Sequence, residues 1–241
     1  MANSPGNSYF YKKHFSMANR VVVILVVLSF ISCRGGQKEQ QNSKGVIVET
    51  SDSSLLFNGK SLDGWEITNF GPQGPVYISG GEIILGMGDG CTGITWKRDF
   101  PTINYEVSLD AMRVQGNDFF CGMTFPVGKD PCTLIVGGWG GTTVGLSSID
   151  GMDASENITT SLMKFEKEHW YYVCITVTET QIMATIDSIK VVDFTIGNSK
   201  LSIRPEVELS KPFGIASWNT TAAIRNIRVK RIEKNPLNHY L

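Results

Sequence analysis

The sequence has few histidines, little net charge and no helical period. Its three histidines (His14, His169, His239) are scattered and give no support to a histidine-based triad. No Cys-x-x-Cys motif and no cysteine–histidine cluster points to a zinc site. With 22 basic and 23 acidic residues the formal net charge is −1, which excludes a nucleic-acid grip driven by bulk positive field. The longest apolar run, Val21–Ile31, is too short to cross a hydrocarbon core of roughly 30 Å. The 25 glycines follow no three-residue period, so collagen is excluded, and the absence of an internal repeat argues against a propeller or β-helix. What remains is a globular composition, 41% apolar and 19% charged, in 241 residues. That length allows one large β domain or two small ones.

The first 33 residues carry Lys12, Lys13 and Arg20 and no acid. A basic flank, a short apolar core and a small residue at its end describe an export signal. The run closes Phe30-Ile31-Ser32-Cys33, which resembles a bacterial lipobox with Cys33 as the lipidated residue. Phe30 stands where leucine is usual. Met17, just before the run, would give a more ordinary signal length. Without residues 1–33 the chain has 19 basic and 23 acidic residues, a net −4. Residues 34–53 are polar and read as a tether. Stable anchoring would need more than one acyl chain.

Four further cysteines remain: Cys91, Cys121, Cys132 and Cys174. Export would permit two disulfides. Cys121 and Cys174 sit inside apolar strand patterns, where a free cysteine behaves as a small hydrophobe. Buried thiols are therefore expected, with Cys121–Cys132 the pair to watch if a bridge forms.

From Ser54 to Ile232 the chain reads as short strands and turns. Val107, Leu109 and Ala111 alternate with Glu106, Ser108 and Asp110, and residues 171–178 and 181–187 alternate likewise. Turns at Glu179-Thr180 and Asp187-Ser188 predict an antiparallel meander that continues into residues 190–194. Further strands are predicted near residues 76–79, 82–86, 93–97, 119–126, 133–136, 144–149 and 213–218. The closing strand, from Ala222, breaks its period at Arg225-Asn226, as a bulge would. Residues 157–168 could hold a helical turn. This pattern predicts an all-β fold, an antiparallel two-sheet sandwich of jelly-roll type, with a closed barrel as the alternative. Residues 233–241 form a tail.

Leu56-Phe-Asn-Gly-Lys-Ser-Leu-Asp-Gly-Trp65-Glu resembles the opening motif of the family known as domain of unknown function 1080, or the 3-keto-disaccharide hydrolase domain. Phe213-Gly-Ile-Ala-Ser-Trp and Ile224-Arg-Asn-Ile-Arg-Val-Lys resemble its closing strands, and His169-Trp170-Tyr171 holds the place of another strand opening. The resemblance spans residues 54–232. It implies a concanavalin A-like or laminin G-like sandwich in an exported, often lipid-anchored protein that acts on 3-keto disaccharides. The middle departs from the family: the arginine and acids of its usual "NSGIFFR" and "YEVQILD" stretches are absent at Gly116–Pro126 and Cys132–Trp139.

The chemistry-bearing candidates are few. Asn58-Gly59 and Asp63-Gly64 read first as turns, and Trp65 as a seal on the core. The residues from Gly137 to Asn157 place Trp139 between glycine pairs and bring Asp150, Asp153, Glu156 and Asn157 within eight positions. An exposed indole stacks on the apolar face of a sugar. Asp150, Asp153 and Glu156 would supply acid, base or nucleophile at a sugar carbon. The same oxygens suit calcium, or a polar loop that caps a helical turn. Asp118 lies where the family's polar motif starts, and Trp218 follows the penultimate strand; with Trp139 and Asn157 they are the candidate substrate-binding residues. Arg204, Glu206 and Glu208 would share one face of a strand and read as a surface ion pair. The expectation is an exported, lipid-anchored protein of the cell envelope that binds a carbohydrate and cleaves a 3-keto disaccharide or related glycoside. It needs no cofactor and no nucleic acid, with calcium the one metal its loop suits. The alternatives are a non-catalytic module that grips glycan or protein, and a structural accessory domain.

Overall fold

The computed structural model describes residues 53–233. The expected signal segment with Cys33, tether residues 34–52 and tail residues 234–241 lie outside the described residues.

Fifteen strands follow in chain order: β1 (Ser53–Leu55), β2 (Trp65–Ile67), β3 (Val76–Ser79), β4 (Glu82–Leu85), β5 (Cys91–Trp96), β6 (Tyr105–Gly116), β7 (Cys121–Val127), β8 (Asp130–Gly138), β9 (Thr143–Ser147), β10 (Ser161–Leu162), β11 (Trp170–Val177), β12 (Gln181–Ile186), β13 (Ile189–Thr195), β14 (Phe213–Trp218) and β15 (Thr220–Arg231). They form two antiparallel sheets. One has the order β13-β12-β11-β6-β15-β4-β3, with β1 added to β15; the other runs β10-β9-β8-β7-β14-β5-β2. This is the two-sheet sandwich that the alternation predicts.

The core lies between the sheets. Leu109, Ile186 and Ile227 have no exposed surface, and neither do Phe120, Phe125 and Phe213. Each such side chain is worth about 1.5–3 kcal/mol of transfer free energy. The expected seal is present: Trp65 donates from Nε1 to the Leu56 carbonyl at 2.9 Å and meets Trp96 edge-on at 5.2 Å. The Asn58 carboxamide oxygen accepts from the amides of Lys60 and Ser61, as a turn-former does. Asp187 and Ser188 both take positive φ, the turn that matches strand twist in a two-residue hairpin. The bulge in β15 is also present, between Arg225 and Arg228, with Asn226 at φ 56°.

Two expectations need correction. Residues 204–208 are not a strand: Pro205–Ser210 is a 3-10 turn. Proline at its first position lacks an amide hydrogen and has φ already set, so it starts a helical turn readily. Residues 157–168 form irregular turns and β10, with no helix. The four cysteines among the described residues are free thiols. Cys121 faces Val136 across the β7–β8 ladder and Cys132 faces Phe125, so register holds the two sulfurs apart.

Candidate functional site

The outward face of the seven-stranded sheet is built from small residues. On β8, Thr133 and Ile135 alternate with the core residues Leu134 and Val136. Gly122 on β7, Gly145 on β9 and Gly214 on β14 share this face. A side chain at Gly122 or Gly214 would collide with the Phe119 ring or the Ser210 backbone, and one at Gly145 would press on the carbonyls of Ala154 and Thr159 at 3.1 Å. Where Phe119 and the 3-10 turn stand apart, the face opens into a cavity of about 220 Å³. Thr133, Ile135, Ser147, Cys91 and Trp218 line it from the strands, and Trp139 and Asp118 from the loops.

Trp139 sits in the β8–β9 connection at φ 47° and is 43% exposed. A bulky residue in the left-handed region is strained, and such strain concentrates at functional sites. Trp218 and Phe119 pack as a tilted pair with centroids 6.5 Å apart. Asp118 accepts the Phe119 amide at 2.8 Å through Oδ1, and its own amide donates to Thr220 Oγ1. Among the described residues Asp118 makes no ion pair.

Arg204 and Glu206 reach the same cavity from the 3-10 turn. Arg204 holds Glu206 by two bonds, at 2.8 and 3.3 Å, and Asp153 by a third. Asp153 in turn accepts from Ser148 Oγ at 3.0 Å and Ser147 Oγ at 3.2 Å. The hydrogen bonds from Arg204 hold the Glu206 carboxyl below the usual carboxylate range, and Glu206 raises the guanidinium of Arg204. Burial, helped by the charge of Glu206, pushes the Cys91 thiol up to about 12, so at neutral pH it is protonated and no nucleophile.

The structure thus brings Asp118, Trp139 and Trp218 to one cavity and places Asp153 behind its wall. Asp150, Glu156 and Asn157 are not among the lining residues. Asp150 exchanges bonds with Lys200, its Oδ1 accepting the Lys200 amide at 2.7 Å. Asn157 is buried and spends its amide on the carbonyls of Leu146, Met152 and Asp153. Glu156 is exposed. The three acids do not converge on a metal site among the described residues.

Sequence reading missed Phe119, the place of Arg204 and Glu206 in the cavity, and Arg113. Arg113 lies beneath the loops, 5% exposed, and donates from Nη2 to the carbonyls of Asp118 (3.3 Å), Gly137 (3.2 Å) and Gly141 (2.9 Å). One signal was legible: glycine or alanine recurring at outward positions of strands marks a face on which something packs closely.

The family model for the 3-keto-alpha-glucoside-1,2-lyase-like domain matches residues 52–230. No curated protein matches the chain. Three solved structures are similar. One is a protein of unknown function with a galectin-like fold from Bacillus subtilis (10% identity, TM-score 0.55, 76% of this chain and 96% of that one). Another is the Crh5 transglycosylase in complex with NAG (15%, 0.53, 76% and 84%). The third comes from work on endo-acting O-glycanases that human gut bacteria express to initiate mucin breakdown (11%, 0.53, 75% and 100%). At these identities the likeness is one of fold.

Proposed function

Because the chain belongs to the 3-keto-alpha-glucoside-1,2-lyase-like domain family, we propose that it is a carbohydrate-active protein of the cell envelope that seats a 3-keto glucoside in this cavity and cleaves it. One observation carries the reading: a single cavity gathers Trp139, the Trp218–Phe119 pair, Asp118 and the Arg204–Glu206 pair. The indole of Trp139 is the platform for the sugar's apolar face. Arg204 and Glu206 offer donors and acceptors to its hydroxyls. A ketone at C3 acidifies the hydrogen on C2. Asp118, the lining carboxylate outside any ion pair, takes that proton. The C2–H electrons become the C1–C2 double bond, the C1–O bond breaks, and the leaving oxygen takes a proton. Water added across the double bond completes hydrolysis. Asp118 thereby takes the role first given to Asp150, Asp153 and Glu156, while Asp153 steadies Arg204. The apolar segment ending at Cys33 supports export and lipid anchorage, which acylated Cys33 in a mass spectrum would establish.

A second reading, glycan capture without cleavage, is favoured by the way Arg204 occupies both Glu206 and Asp153. Titration and turnover with methyl 3-keto-α-glucoside separate the two. Trp139→Ala is expected to raise Kd about tenfold, roughly 1.4 kcal/mol. Asp118→Asn is expected to abolish turnover and spare binding. Binding without turnover by the unaltered protein would establish capture alone. A Kd unchanged in Trp139→Ala would remove the site assignment.

A further inference from the structure

Arg113 is a buried cation without a carboxylate partner in an ion pair among the described residues. Burial pulls its guanidinium down from the ordinary value. A buried charge costs several kcal/mol unless its surroundings compensate. Here the charge of Asp118 works against the burial, and two further sources of compensation lie around the group. The guanidinium lies 5.0 Å from the Phe120 ring centroid and 5.9 Å from that of Phe165. Its Nη2 also donates to three carbonyls in two separate segments: Asp118 in the β6–β7 connection, and, at either side of Trp139, Gly137 near the end of β8 and Gly141 in the β8–β9 connection. Both glycines make room for it. A Cβ on Gly137, at φ 78°, would sit 2.4 Å from Nη2, and one on Gly141, at φ 105°, would sit 3.3 Å from Nη1. Gly137 is therefore shaped around the guanidinium beneath it, and Gly141, where a Cβ would also lie 3.0 Å from the Asn117 carbonyl oxygen, closes over its other side. A hydrophobic side chain would fill this space at lower electrostatic cost but would leave three carbonyls without a donor. The planar guanidinium also lies against the rings of Phe120 and Phe165, which the compact, strongly hydrated ammonium of a lysine does not match.

We propose that Arg113 is the positioning residue of the cavity, a buried pin that ties the loop bearing Asp118 and Phe119 to the loop bearing Trp139 and so sets the indole against the carboxylate. For ligand affinity the proposal rests on the saccharide reading above; the loop geometry it assigns does not.

The test uses the full chain labelled with 5-fluorotryptophan. Fluorine NMR reads Trp139, assigned by its loss in Trp139→Phe, against Trp65 and Trp96, which pack on each other in the core. Arg113→Lys is expected to shift or broaden the Trp139 resonance and leave Trp65 and Trp96 in place. It should also raise Kd for methyl 3-keto-α-glucoside about tenfold. In a Trp139→Ala background the same change should alter Kd less than twofold, because contacts that act through one residue are not additive. A Trp139 resonance that stays put overturns the pin whatever the ligand does. Equal Kd effects in both backgrounds overturn its action through Trp139. If the probe binds and Trp139→Ala has no effect, the saccharide reading fails while the resonance still judges the pin. Should Arg113→Lys fail to fold, Arg113→Gln, which keeps a planar donor, is read in the same way. Joint loss of all native tryptophan signals in both variants would assign Arg113 to the fold as a whole and overturn the role.

Discussion

Glu206 faces the cavity with both carboxylate oxygens on Arg204. The hydrogen bonds from Arg204 lower its folded-state value below the ordinary 4.5. A carboxyl depressed on folding adds stability above its unfolded value and loses it as pH falls through the folded value. Unaltered protein should therefore be more stable than Glu206→Gln at neutral pH, by a margin that fades below about pH 4.5. Urea midpoints across that range check this, and a margin independent of pH would contradict it. The pair is partly open to solvent, so added salt should shrink the margin. Single residues also show what the sequence hides. Asp150 and Asp118 are the same chemical group. The first is used up by the amide of Lys200, 50 positions away, and the second lines the cavity. No local pattern separates them, because the partner that decides is distant in the chain.

Strands were legible because a period of two is a strong signal when one face is greasy. β6, β11 and β12 read directly from their alternation, and the β15 bulge from the break at Arg225-Asn226. The 3-10 turn was not legible: Arg204, Glu206 and Glu208 alternate with Pro205 and Val207 as a strand would, and only the missing amide of Pro205 argues otherwise. That turn forms a wall of the cavity, so its seat on β14 matters. A methyl on Gly214 would lie 2.6 Å from the Ser210 carbonyl oxygen. Gly214→Ala is expected to push the turn outward, cost about 1–3 kcal/mol in a denaturant titration, and weaken saccharide binding by moving Arg204 and Glu206. Lost stability with unchanged affinity would show that the turn does not shape the cavity.

Fold class follows from periodicity, but the order of strands does not. β6 pairs with β15, which lies over a hundred positions further on, and period-two patterns carry no information about such partners. The cavity arises only once the sheet is assembled. The pairing of β1 with β15 has a mechanical consequence. Ser53 lies opposite Lys230, and Leu55 opposite Arg228. Load applied through the two ends of the sandwich would fall on one rung of this ladder at a time, as a zip opens, rather than on all rungs at once. A single-molecule stretch should give a low first rupture that releases β1, and a high first rupture would mean that force takes another path.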